Sequence, residues 1–389
     1  MVVWYKLAGH MRGCGTGFGQ RGGLGVMSVL TIICAAFVFS SVAILLLRPV
    51  CERLGHVDHP GGRKRHDNST PLSGGIAIAV AIVAIGAVSV PSMKFLGFAF
   101  GICTLLLLGA MDDRKHVPAV LRLAIQTVAV AVGMCLLGGV NIRWLGDLAG
   151  SGPIFLDQWS VAFTIFGAVG VINAVNMIDG LDGIAGSYAV LLIGVLLSLA
   201  TSVGAASSVL LFLSIGSVLG FLIFNLRTPW QSTARVYLGD AGSLVLGYIL
   251  VWFAIEASQS SAASIDPITI VWLFGLPLSD TGYLMLSRVA RRKSPFTADR
   301  YHFHHLLLRA GLTPQKTLYA WLTVAASFMA VGVMGSLANV PEYAMFYGFL
   351  VAFGCYCVAV NRIWSRRTLR RSIAKARRQR TDIERGGAS

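Results

Sequence analysis

The sequence predicts an all-α, polytopic integral membrane protein, and three observations carry that prediction. Apolar residues make up 55% of the 389-residue chain and charged residues 13%, against roughly 45–50% and about 25% in soluble domains. The mean hydropathy is +0.71, which excludes an ordinary soluble enzyme. The apolar residues also gather into runs near the ~20 residues a helix needs to cross a bilayer, broken by charged or Pro/Gly-rich stretches.

Eleven runs follow in order, at 26–47, 74–91, 94–111, 121–140, 159–175, 184–203, 205–225, 243–257, 267–287, 317–338 and 342–362. The first stops at Arg48-Pro49, the second opens on Gly74-Gly75, and the third runs from Lys94 to the Asp112-Asp113 pair. The fourth follows Pro118, the fifth follows Asp157 and leads into a polar Asn/Asp stretch, and Gly204 parts the sixth from the seventh. The eighth is short, and the ninth contains Pro277 and the acid Asp280, so these two carry the weakest signal. The last two flank a break at Pro341-Glu342. The 44 glycines suit close packing between membrane helices.

Three regions result. Residues 1–25 form a Gly-rich tail, read as disordered or as an over-extended start; 26–362 form the membrane domain; 363–389 form a basic tail. Lys and Arg are retained on the cytoplasmic side. With the N-terminus outside and the C-terminus inside, 27 of the 32 basic residues fall on the inner face. The net charge of +15 therefore reads as topology rather than as nucleic-acid binding. No Cys-x-x-Cys pair occurs among seven cysteines, so neither a disulfide framework nor a thiolate metal site is indicated.

Acids gather at the predicted inner helix ends, where carboxylates are costly and point to function. Asp112 and Asp113 end the third run. Asn173, Asn176, Asp179 and Asp182 repeat at intervals of three, so a helix would stack them on one face. Asp240 sits in Leu238-Gly239-Asp240-Ala241-Gly242-Ser243 at a glycine-flanked helix start, which offers amides to an anion and a carboxylate to a cation. Mg²⁺ takes one or two carboxylates with substrate phosphate oxygens, and Mn²⁺ is the alternative ion. The loop from Arg288 to Gly311 is basic and holds His302, His304 and His305, a surface suited to phosphate. Asp280 reads instead as a buried partner for Arg288, two turns along its helix.

With these motifs in order, the chain resembles the polyprenyl-phosphate N-acetylhexosamine-1-phosphate transferases of glycosyltransferase family 4, in the WecA/TagO-like branch, and the resemblance implies an MraY-like fold. The carrying residues are Asp112-Asp113, Asn173-x-x-Asn176-x-x-Asp179-Gly-Leu-Asp182-Gly, Leu238-Gly239-Asp240, and Ser294-Pro295-Phe296 with Asp299-Arg300 and His302-x-His304-His305. The resemblance implies transfer of a sugar-1-phosphate, foremost GlcNAc-1-phosphate, from a UDP-N-acetylhexosamine to undecaprenyl phosphate at the bacterial inner membrane. UMP is released and a lipid-linked surface glycan is begun.

It implies Asp112 and Asp113 as catalytic, Asn173 and Asp240 as the Mg²⁺ ligands, and Arg122 on the lipid phosphate. Asn176, Asp179, Asp182, Tyr237, Arg288, His302, His304 and His305 would contact the nucleotide sugar. Membrane lipids are the other expected partners, no nucleic acid is expected, and a homodimer is an open alternative. Pro71-Leu72-Ser73-Gly74-Gly75 matches a motif of the first inner loop but lacks the basic residue that relatives carry just before it; Lys64 or Arg65 stands further back. Other donors (UDP-GalNAc, UDP-FucNAc, UDP-MurNAc-pentapeptide) fit the same motifs, and a membrane transporter is the rival of a different class.

Overall fold

The computed structural model describes residues 26–58, 69–199, 204–259, 265–292, 294 and 302–386, with side chains given through Trp364. The N-terminal stretch 1–25, Lys64, Arg65 and the part of the fourth motif at 295–301 lie outside the described residues. The described chain is all-α apart from a two-residue antiparallel ribbon, Val57–Asp58 with Thr70–Pro71. In order, the helices are α1 Val26–Arg53, α2 Gly74–Ser89, α3 Met93–Arg114 and α4 Ala119–Val128, which continues as a π-helix over Ala129–Leu137. Next come α5 Ser160–Ile178, α6 Ile184–Leu199, α7 Ala205–Asn225, α8 Gly239–Gln259, α9 Pro267–Leu273 and α10 Gly275–Ala290. The chain closes with α11 Phe303–Arg309, α12 Pro314–Leu337 and α13 Glu342–Gly386.

Eight of these helices, α4 counted with its π-helical end, are long and apolar enough to cross a membrane. The chain is an integral membrane protein. The other three predicted runs are shorter or broken. Helices α2 and α6 have 16 residues each, and the ninth run is two helices, α9 and α10, meeting at 75°. Its break falls at Phe274, before Gly275 and Pro277, where a proline removes a ladder donor and crowds the preceding turn.

The eighth run, one of the two weakest in the sequence, is the central helix. Helix α8 spans 21 residues, and 18 of them are buried. It reads as short because Asp240 and Glu256 interrupt its ends; inside the fold both are compensated. Glu256 pairs with Lys94 Nζ at 2.5 Å and accepts from the Ser207 hydroxyl. A helix apolar all round belongs in the interior, and α8 is enclosed by α2, α3, α5 and α6.

Glycine allows these enclosing helices to approach at backbone distance. A Cβ on Gly75 of α2 would lie 2.2 Å from Gly242 Cα, and one on Gly109 of α3 would lie 2.3 Å from Ala241 Cα. Around the π-helical turn, Gly133 abuts Gly97 while the Tyr248 hydroxyl donates to the Gly97 carbonyl at 3.2 Å. Such small-residue contacts replace the hydrophobic driving force that lipid does not supply.

Gly75→Ala is expected to force α2 and α8 apart and lower stability by about 1–3 kcal/mol, the usual range for overpacking. Gly170→Ala on α5, where nothing lies within 4 Å, is the control. Thermal unfolding in detergent that shows equal midpoints for the two variants would refute the close crossing.

Candidate active site at the start of the central helix

The predicted acids converge where α8 begins. A helix start exposes unpaired N–H groups and partial positive charge. Asp113, in the last turn of α3, answers both: its carboxylate accepts from the Asp240 amide at 2.8 Å and from the Ala241 amide at 3.2 Å. The preceding turn is shaped by the Pro71-to-Gly75 motif. Gly74 and Gly75 amides donate to the carbonyls of Tyr237 and Leu238 at 3.1 and 3.2 Å, and the Tyr237 amide donates to Pro71 O at 2.9 Å. Gly239 takes φ +71°, and a Cβ there would sit 2.7 Å from an Asp113 oxygen.

Asn176 on α5 donates its amide to Asp240 Oδ1 and to Ser243 Oγ, both at 2.8 Å. Asn173, one turn earlier, donates to Gln126 Oε1 at 2.7 Å and to the Val169 carbonyl at 2.8 Å. Of the two asparagines, Asn176 is therefore the one bonded to Asp240. Gln126 is an addition that the motifs did not flag; its only signal is its place one turn beyond Arg122 on α4.

The neighbouring Asp112 takes different partners from Asp113. It accepts from the Val117 amide at 2.8 Å and pairs with Arg122 at 2.9 Å, with its own side chain 3% exposed. The two adjacent carboxylates thus take separate partners, helix amides for one and a guanidinium for the other.

Helix α5 ends at Ile178, and Asp179 is its capping residue. The expected single face from Asn173 to Asp182 is therefore interrupted: the last two acids lie in a turn, not on the helix. That turn is fixed by Asn225, whose side chain accepts from the Gly183 amide at 2.7 Å and donates to the Val236 carbonyl at 3.0 Å. Asp182 pairs with Arg227 at 2.7 Å. Tyr237 lies by Thr70 and Asp182, and burial followed by the Asp182 charge pushes its hydroxyl pKa up.

The histidines close the other side of this turn. His304 is 1% exposed, and neither ring nitrogen has a hydrogen-bond partner among the described residues. Its Nε2 faces Gly180, where a Cβ would come within 2.2 Å. His302 stacks on His304 at 5.6 Å with 9° between the planes, and His305 lies 4.3 Å from His304. Arg288 is buried on α10. Asp280, expected beside Arg288, bonds instead to His302 Nδ1 at 2.9 Å.

Among the described residues no cluster of three or more His, Cys, Asp or Glu could hold a metal by itself. The oxygens around Asp240 are its own carboxylate, that of Asp113 and the Ser243 hydroxyl, which suit an ion that completes its shell with water and phosphate and not zinc.

Burial, reinforced by His305 and His302, holds the pKa of His304 well below its ordinary 6.5. The unfolded chain then binds the extra proton first as pH falls, so His304 contributes stability above the unfolded value and loses it on acidification below about 6.5. His304→Gln is expected to flatten that acid-side loss in thermal scans from pH 7.5 to 5.5; an unchanged slope would show that His304 titrates normally.

The model of glycosyl transferase family 4 matches residues 95–258. Relatives from several bacteria carry the name undecaprenyl-phosphate alpha-N-acetylglucosaminyl 1-phosphate transferase. The protein from Haemophilus influenzae is 34% identical over 89% of this chain and 98% of its own. That from Pasteurella multocida is 33% identical over 90% and 99%, and that from Escherichia coli K12 is 32% identical over 92% and 98%. Likeness at this level along nearly the whole of both chains shows that this chain belongs to glycosyl transferase family 4.

Proposed function

We propose that the chain transfers GlcNAc-1-phosphate from UDP-GlcNAc to undecaprenyl phosphate and releases UMP, as its relatives' names describe for them. The observation that carries the reading is the meeting of the first three motifs at the start of α8, with the described histidines of the fourth motif against the adjoining Asp-Gly turn. Asp113 and Asn176 bond to Asp240 and its amide, and His304 packs on Gly180 of the Asp-Gly turn. A transporter would place its acids along broken helices in the membrane, whereas these sit at helix ends and adjoining turns.

We also read α2, α6 and the bent α9–α10 pair as crossings, which gives eleven in total, with the N-terminus outside and the C-terminus inside. A 16-residue helix is about 24 Å long, short of a ~30 Å hydrocarbon core but workable where neighbours cover its ends. The active site then faces the cytoplasm of a bacterial inner membrane, beside most of the basic residues, where a water-soluble donor and a lipid acceptor can meet.

In the reaction, an oxygen of the lipid phosphate attacks the β-phosphorus of the donor as the bond from that phosphorus to the UMP oxygen breaks. The acceptor's second pKa is near 6, so at neutral pH it is already mostly a dianion and needs little help from a base. The barrier is electrostatic: two phosphates must approach, and fixed positive charge must offset them. Arg122, held by Asp112, supplies such charge for the lipid phosphate, and Arg288 with the histidine loop supplies it for the diphosphate. Asp240, with Asn173 as the family resemblance implies, would hold Mg²⁺, which when bound neutralises phosphate charge.

Asp113 is assigned a positioning role, because both its oxygens already accept amides of the helix that carries Asp240. Asp113→Ala is expected to remove the cap, at about 0.5–2 kcal/mol, and to lower activity. Asp113→Asn keeps one acceptor and is expected to retain activity within about tenfold at pH 8, where a lost base would cost about 10²–10⁴-fold. An Asn variant as inactive as the Ala variant would restore the base assignment.

Purified protein with undecaprenyl phosphate, Mg²⁺ and UDP-GlcNAc is expected to release UMP and form lipid-linked product in equal amounts. EDTA should stop the reaction, and UDP-GalNAc, UDP-FucNAc and UDP-MurNAc-pentapeptide should serve as poorer donors. No product from any donor, together with ion flux in liposomes, would favour the transporter reading. A covalent sugar-phosphate enzyme trapped after a single turnover would replace direct attack with a two-step route.

A further inference from the structure

Asp280 is the buried acid for which the proposed chemistry has no use. It is 1% exposed on α10, and an isolated buried carboxylate is costly unless it is paired and hydrogen-bonded. Its bonds come from two other elements. One oxygen faces His302 Nδ1 at 2.9 Å. The other accepts from the Phe303 amide at 3.0 Å and from the Tyr356 hydroxyl of α13 at 2.7 Å. The Tyr356 ring also meets Phe303 edge-on at 6.0 Å, so the last helix backs the same turn.

We infer that Asp280, braced by Tyr356, is a positioning residue for His302: it fixes the proton on Nδ1 and presents Nε2 to the phosphate oxygens of the nucleotide donor. A carboxylate on one ring nitrogen decides which tautomer the other nitrogen shows, and it stabilises the ring when both nitrogens carry protons. Asp280 takes the Nδ1 side of the His302 ring, and the side chain keeps a tenth of its surface open. Its ring stacks on His304, which packs on Gly180 of the Asp-Gly turn, so the dyad belongs to the same site. His304 cannot take this role in the same way, because burial keeps it neutral and its Nε2 is sealed against Gly180.

The inference rests on the phosphoglycosyl transfer reading for what Nε2 meets, but the tautomer itself can be read without turnover. In protein carrying ¹⁵N-histidine, with the His302 signal assigned by its loss in His302→Gln, the wild type is expected to show the Nδ1–H form. Asp280→Asn is expected to change that signal and to lower kcat by about 10–100-fold, the usual cost of losing such a support, with KM for the donor moved by less than about threefold. Asp280→Glu should recover part of kcat and the wild-type signal.

A wild-type His302 protonated on Nε2 alone would overturn the inference, as would a fall in kcat with the His302 signal unchanged, since a mere staple for α11 behaves that way. Should Asp280→Asn fail to assemble in detergent, Asp280→Glu and the wild-type spectrum carry the same decision. A wild type that turns over no sugar nucleotide would sink the proposed function, while the ¹⁵N measurement would still decide the dyad.

Discussion

The start of α8 is the fixed point of the structure. Three separate pieces of chain end on it: α3, through the Asp113 carboxylate on its first amides and the backbone of Gly109 against Ala241; the Gly74 and Gly75 amides on the carbonyls just before it; and Asn176 of α5 on Asp240. A buried helix start must have its amides satisfied, and here a side chain from another helix does so. The same bonds that satisfy α8 also set the position of Asp240. Stability and site geometry are therefore one constraint, and a change that loosens the crossing of α2, α3 and α8 moves the carboxylate with it.

This constraint also explains how so many acids share a small volume near the membrane. Mutual repulsion would oppose folding if all were open. Instead Asp112 faces Arg122, Asp113 faces the helix amides, Asp182 faces Arg227 and Asp280 faces His302 and Tyr356. Each partner also holds a second element in place. The excess of base that looked like simple topology in the sequence thus includes particular residues, Arg122 and Arg227 among them, that compensate the acids of the site.

The sequence carried the motifs, because Asp-Asp, Asn-x-x-Asn-x-x-Asp-Gly-x-Asp-Gly and Gly-Asp are local patterns, and most helices, because apolar length is local too. What it did not carry was pairing. Asn173 and Asn176 look alike in a three-residue repeat, and only the packing of α5 on α8 and α4 sends one to Asp240 and the other to Gln126. Helix α8 looked weak because its end charges lower its apolar length, though each charge has a partner far away in sequence. Asp280 and Arg288 share one helix but stand about 12 Å apart along its axis, and the chain beyond α10 and the return of α13 bring His302 and Tyr356 to Asp280 instead.

The role of the last helix follows from the same reasoning about pairing. The His-x-His-His segment lies in a loop, and loops place side chains less firmly than the helices they join. Helix α13 supplies what the loop lacks: Tyr356 bonds to Asp280 and packs on Phe303, and Trp364 lies under the Arg309 guanidinium at 4.7 Å. Both contacts come from the membrane-facing stretch of α13, before its basic extension begins. A helix with no acid or histidine of its own in the site therefore governs how sharply the histidines are held. In the proposed reaction the part of the site assigned to the metal is set by α8 and the part assigned to phosphate by α10 and α13; His304 closes against the Asp-Gly turn at Gly180, where only a residue without a side chain leaves room for it.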